Sequence, residues 1–218
     1  MREPYGVRVK TDWVPFSAAL LLTGALALAL GSLLTPASDG SADTLRIVAD
    51  QGGRWMAAAA TYMVAAVFLT LGLPTALVLL QGRGRTLGLV SAVVLGFGFI
   101  GTAGYAMLMV FFRALVKTHT IVGQGIDEVA HDAGLRVFLY AWIVGFVLGE
   151  LLLGLALLRA RTVPRWVPLV LILHVASVCL ATLLPDVLGK ATILLFVAGM
   201  AGIAVTATSA PTGRRPAS

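Results

Sequence analysis

The stretch VFLYAWIVGFVLGELLLGLALL, residues 137–158, holds a single charged residue, Glu150, in 22 positions. A helix of that length in a water-soluble fold keeps one polar face, and this stretch has none, so its surroundings must be apolar on nearly every side. About 20 such residues cross the roughly 30 Å hydrocarbon core of a bilayer. The span must be a helix, because hydrocarbon offers backbone groups no hydrogen-bond partner. The alternating strands of about ten residues that mark a membrane barrel are also missing.

Five further runs have the same character: Trp13 to Thr35, Trp55 to Leu80, Thr86 to Phe112, Trp166 to Leu184 and Ala191 to Ala207. Across the 218 residues, 59% are hydrophobic and 12% charged, against about 25% charged in an ordinary soluble domain. No segment remains to build a second, water-soluble core. The expected fold is therefore all-α, an integral membrane bundle of six transmembrane helices over residues 1–208, with residues 209–218 as a flexible tail. The first run follows Arg2, Arg8 and Lys10 as a secretory signal would. It exceeds the roughly 7–15 apolar residues of a signal, so it reads as the first membrane helix.

The gaps between runs set the orientation. The N-terminus, the Arg83/Arg85 loop, the Arg159/Arg161/Arg165 loop and the Arg214/Arg215 tail hold ten Lys and Arg, and the other gaps hold six. Those other gaps also carry Asp39, Asp43, Asp50, Asp127, Glu128, Asp132 and Asp186. The ten-residue side is expected to be cytoplasmic, with both termini inside. The net charge of +6 thus reads as a topology signal and an anchor for anionic lipids, not as a nucleic-acid surface. The expected setting is multi-pass in a cell membrane, with a bacterial plasma membrane favoured.

Trp13, Trp55 and Trp166 fall at run ends, where an indole keeps its ring in the acyl boundary and its N–H wet. Pro36 and Pro185 follow runs, whereas Pro74 lies inside the second and should kink it. Two outer segments, Pro36 to Arg54 and Ala114 to Arg136, have amphipathic character. In the first, Ser41 or Asp43 is placed to cap a turn containing Leu45, Ile47 and Val48. In the second, Ile126, Val129 and Ala133 share a helical face. The lone Cys179 rules out an intramolecular disulfide.

An ionisable residue inside a span is a functional candidate by default. Glu150 in the fourth run and His174 in the fifth each lie twelve positions from Thr162, the centre of the loop joining the two. At 1.5 Å rise per residue both sit roughly 13 Å inside the helix ends, at one depth, where carboxylate and imidazole can meet if they face each other. Such a pair suits a proton relay or acid/base work. The alternative is structural glue between helices. Gly145 and Gly149 just before the carboxylate favour close helix packing.

Other motifs carry less. Arg113, with Lys117, can hold an anionic headgroup or diphosphate, or simply snorkel at a helix end. Tyr105 joins Arg113 as a weak substrate-binding candidate. With Ser91 and Thr102 in the third run and Thr61, Tyr62, Thr70 and Thr75 in the second, it also supplies the few polar groups for a pathway. Glu128 and His131 form one Glu-x-x-His pair. A di-metal carboxylate site needs two, so no metal site is assigned and this pair is a weak candidate at most. Gly96-Phe-Gly-Phe-Ile-Gly matches the dinucleotide fingerprint literally but lies mid-membrane without a preceding strand. Gly96, Gly98, Gly101 and Gly104 are expected to serve helix packing. No cofactor is implied, and no reaction-specific motif of familiar soluble enzymes is present.

At Arg161-Thr-Val-Pro-Arg-Trp and the apolar run on to His174, the chain resembles small polytopic membrane proteins of high-GC actinobacteria that have no established activity. The resemblance implies a multi-helix membrane layout and transfers no catalytic residue. Thr35-Pro36 stands where such proteins often have His-Pro. Two readings follow: binding or transport of a small molecule or proton through the bundle, or a membrane-embedded enzyme acting on a lipid or isoprenoid-like substrate. In both, the partners are membrane lipids and a small hydrophobic ligand. Oligomeric state is not legible.

Overall fold

In the computed structural model, residues 13–38, 40–80, 82, 84–121, 124–180 and 186–209 are described. The charges Arg2, Arg8, Lys10, Asp39, Arg83, Arg214 and Arg215, the end of the fifth run with Pro185, and most of the tail lie outside them, as do the side chains of Ser41, Asp127 and Asp186. Among the described residues all regular structure is helical: α1 (Trp13–Leu34), α2 (Ser41–Asp50), α3 (Gly52–Gly72), α4 (Pro74–Leu79), α5 (Arg85–Lys117), α6 (Gln124–His131), α7 (Ala133–Ala160), α8 (Trp166–Cys179), α9 (Asp186–Ala191) and α10 (Ile193–Ser209).

Five helical stretches are long and apolar enough to cross a membrane: α1, α3 with α4, α5, α7, and Leu188–Ser209. The expected fifth span, Trp166 to Leu184, is described only as far as Leu180. α8 has 14 residues, about 21 Å at 1.5 Å per residue, and Leu180 beyond it has left helical geometry.

These six elements close a ring in which α3 packs on α1 and α5, α7 on α5 and α8, and α10 on α8 and α1. Each sends a side chain to a common apolar core: Leu21, Leu69, Leu95, Leu153, Leu171 and Met200 are all essentially inaccessible. Outward faces are apolar too. Phe16, Val93, Phe138 and Val205 are exposed, an arrangement that water would penalise and lipid tails accept.

Small residues bring the helices together, because lipid gives no hydrophobic drive between helices and packing must supply the attraction. A Cβ on Gly72 would fall on the backbone of Leu21, one on Gly149 only 2.5 Å from Leu95 N, and one on Gly98 only 2.7 Å from Phe146 N. The expected role of the third run's glycines holds for Gly98 and Gly101. It does not hold for Gly96, whose neighbour is 3.8 Å away, or Gly104, which faces open space. Pro74 breaks the second span between α3 and α4 as expected, and Ala76 N–H donates to Leu73 O at 3.0 Å across the break.

Calling the end of the bundle that carries α2 and α6 the α2/α6 end, three features there refine the sequence reading. α2 begins after Gly40, which has no side chain to cap with, and Asp43 in its first turn pairs with Arg46 at 2.6 Å. Asp132 caps α7 by accepting from Leu135 N–H at 2.8 Å. Trp55 is not an interfacial anchor: it is buried with Val48 and Met109, and its Nε1–H donates to Met109 O at 2.9 Å. Trp13 and Trp166 are half exposed at the starts of α1 and α8.

Candidate functional site

The 161–165 loop returns the chain antiparallel, so α7 and α8 run side by side and present Glu150 and His174 at matching depth. Between that level and the loop the two helices pack closely, since a Cβ on Gly154 would touch Ile172 and approach Pro168 O. His174 Nδ1 lies 2.9 Å from Oε1 and 2.9 Å from Oε2 of Glu150. Both side chains are buried. The carboxylate is embraced symmetrically, and the neighbouring turn is pinned by Ser91 Oγ–H donating to Gly149 O at 3.0 Å.

Beyond the pair, toward the α2/α6 end, a cavity of about 290 Å³ receives side chains from all six spans. His174 is on its wall, while Glu150 is not. The wall is aromatic, with Tyr62, Tyr105, Trp142 and Phe146: Tyr105 stacks on Trp142 with centroids 4.8 Å apart and Tyr62 meets Tyr105 edge-on at 5.6 Å, while Phe196, in the core and not on the wall, lies 5.6 Å from the imidazole. Trp142 Nε1–H donates to Thr102 Oγ1 at 3.1 Å, and Tyr62 and Thr35 hydroxyls are 3.3 Å apart. No described residue bonds His174 Nε2 or the Tyr105 hydroxyl. Ile143 on the rim is exposed, so the cavity reaches the outer surface of the bundle.

No protein-family model, curated protein or solved structure matches this chain. Its chemistry is therefore read from the site.

A net charge on this buried pair would cost several kcal/mol, so arrangements in which carboxyl and imidazole are together neutral are favoured. As carboxylate and imidazolium, Nδ1–H is donated to both oxygens. As carboxylic acid and imidazole, the acid O–H is donated to Nδ1. Either arrangement leaves a hydrogen on Nε2. The site thus offers a hydrogen-bond donor, and in the imidazolium form an acid, at the wall of an apolar cavity.

Of the residues singled out in the sequence, Tyr105 joins His174 at the cavity and Arg113 does not; it lies beside Gly52 at the α2/α6 end. Glu128 and His131 sit exposed on α6, and no group of three or more possible metal ligands occurs among the described residues. Of the polar residues considered for a pathway, Tyr62, Thr102 and Tyr105 line the cavity and the others do not. Thr61, Thr70 and Thr102 donate to carbonyls within their own helices, Ser91 donates to Gly149 O, and Thr75 is fully buried without a partner. On the loop side of the pair, Ala156, Leu157 and Val167 close the bundle with apolar contacts.

Trp142 and Phe196 went unmarked in the sequence. Trp142 carried a signal: an indole N–H well inside an apolar run must find a buried partner, which singles out polar side chains such as Thr102. Phe196 carried none, being one more apolar residue in an apolar run.

Proposed function

We propose that this chain is a six-span membrane protein, both termini cytoplasmic, that binds a small apolar molecule with its hydrogen-bond acceptor against Nε2 of His174. The single observation that carries this reading is a cavity-lining histidine whose other nitrogen is held by a buried carboxylate. A sixth span is supported by the sequence beyond α8, which stays apolar to Leu184 and so offers 19 residues from Trp166. Orientation is supported by the cations of the 159–165 segment at one end and by Asp43, Asp50, Glu128 and Asp132 at the other.

Binding from one side is favoured over passage through the bundle, because the cavity stops at the pair and the far side is apolar. A cell-membrane location, with lipids as neighbours, is supported by the exposed apolar faces of the helices. The second reading, acid/base catalysis on a lipid or isoprenoid-like substrate, rests on the Nε2 hydrogen and the shared proton behind it. Both readings keep the loose resemblance to small actinobacterial membrane proteins as a statement about layout.

The test uses the purified protein in nanodiscs with 2-acetylnaphthalene, which carries a carbonyl acceptor, and 2-ethylnaphthalene, which lacks it. One net hydrogen bond is about 0.5–1.5 kcal/mol, so the carbonyl compound should bind roughly 2- to 12-fold more tightly. Replacing the pair as a unit, His174→Phe with Glu150→Leu, should erase that preference without stranding a charge. Equal affinities for the two compounds in the native protein would reject the reading.

A further inference from the structure

A second site lies at the α2/α6 end, away from the aromatic cavity. Of the six cations assigned to that side, four are accounted for by protein groups. Arg46 pairs with Asp43, and Arg54 Nε–H donates to Leu34 O at 2.8 Å. Lys190 Nζ donates to Thr35 O at 2.9 Å, and Arg136 Nε–H to Ala130 O at 3.1 Å. These bonds are what helix termini ask for, since the last carbonyls of α1 and α6 have no partner within their helices.

Arg113 and Lys117 are different. Neither has an ion pair or hydrogen bond with any described residue. They are four positions apart on α5, where like charges repel and destabilise the helix by a few tenths of a kcal/mol. Both line a cavity of about 320 Å³ floored by Val48 and Val116. Gly52, the first residue of α3, is on the same wall and leaves room for the guanidinium: a Cβ there would lie 2.9 Å from Arg113 Nε. The first amides of α3 have no helical acceptor, and the last turn of α2, with Val48 and Ala49 on the same wall, opposes their potential, so the two charged side chains supply the net attraction for an anion. The nearest acid in sequence, Asp50, is exposed and forms no ion pair with Arg113.

His119 completes the wall. It closes α5 in a left-handed conformation, φ 54°, with His119 N–H donating to Val116 O and Thr120 N–H to Leu115 O, both at 3.1 Å. That position ordinarily takes glycine, and an L side chain there is strained by about 1–2 kcal/mol. This turn puts the imidazole on one cavity wall with two cations that have no ion pair among the described residues. Tyr105, on the aromatic cavity, is eight residues back along α5, about 12 Å, and the buried Trp55 and Met109 belong to the layer between them. The two cavities are separate.

We propose that Arg113, Lys117 and His119, with the start of α3, bind a phosphate-class anion at the membrane surface. Two sources share that chemistry, an anionic phospholipid headgroup and a free diphosphate. The full chain in nanodiscs of phosphatidylcholine is titrated with inorganic pyrophosphate by calorimetry. The same chain in mixed phosphatidylcholine and phosphatidylglycerol nanodiscs is examined by native mass spectrometry for retained phosphatidylglycerol. Pyrophosphate binding identifies a soluble ligand, and selective phosphatidylglycerol retention without it identifies the headgroup. In either case Arg113→Gln with Lys117→Gln should weaken binding at least about tenfold, equivalent to about 1.4 kcal/mol.

Two milder variants guard against misfolding. Gly52→Ala should displace the guanidinium and weaken binding while the protein stays folded. His119→Gly should weaken binding while leaving the melting temperature equal or higher, because it relieves the strained turn. Absence of binding by both probes, or binding unchanged in all of these variants, overturns the proposal.

Discussion

Replacing Glu150 by Gln changes charge but hardly shape, and it isolates what the carboxylate does for His174. In the native pair both oxygens lie 2.9 Å from Nδ1. Gln keeps one oxygen, so one of the two contacts and all charge assistance are lost. A hydrogen bond to a charged group is worth about 1.5–3 kcal/mol and a neutral one about 0.5–1.5, which sets the loss near 1 kcal/mol. Interhelical bonds inside membranes average about 0.6 kcal/mol and argue for the lower part of that range.

The larger consequence is at Nε2. The Gln amide can accept from Nδ1–H or donate to Nδ1, so nothing keeps a hydrogen on Nε2 and the donor at the cavity wall is no longer fixed. Selective ¹⁵N labelling of the imidazoles is practical because the chain has three histidines. In micelles, thermal unfolding of E150Q should show the small stability loss. The Nδ1 and Nε2 resonances of His174 should move, while those of His119 and His131 stay. Ring shifts of His174 that are identical in native and E150Q protein would refute the coupling of the two groups. A stability loss of several kcal/mol would instead show that the pair acts chiefly as structural glue.

Helix packing gives a paired test: Gly149→Ala should cost about 1–3 kcal/mol, because its Cβ meets the Leu95 backbone at 2.5 Å and α5 and α7 must separate. Gly104→Ala, with nothing within 4 Å, should be neutral or stabilising by up to about 1 kcal/mol; equal effects in thermal unfolding would contradict the packing. Topology is tested in a Cys179→Ser background with single cysteines at Thr118 and Thr162, both exposed. A membrane-impermeant maleimide should label Thr118→Cys on intact cells and Thr162→Cys only after permeabilisation, and the opposite pattern would invert the assigned orientation.

Quantities that run along the chain are legible in the sequence. Hydrocarbon forces helices, bilayer thickness sets their length, and rise per residue converts the separation of Glu150 and His174 from Thr162 into a common depth. The same one-dimensional reasoning locates the Pro74 break. The fifth run is followed as helix over Trp166–Cys179, and its end, from residue 181, lies outside the described residues.

What runs around a helix axis is not legible there. Whether Glu150 points at His174, which glycines of the third run face a neighbour, and whether the Trp55 indole is wet or buried depend on the rotation of each helix against the others. That rotation is fixed by interdigitating side chains such as Leu95 against Gly149 and Leu21 against Gly72. In a lipid-facing helix both faces are apolar, so the amphipathic pattern that fixes rotation in soluble helices is absent. The sequence alone determined the apolar helical runs and the matching depth of one carboxylate and one imidazole; only tertiary packing brought them to 2.9 Å and opened an aromatic cavity beside them.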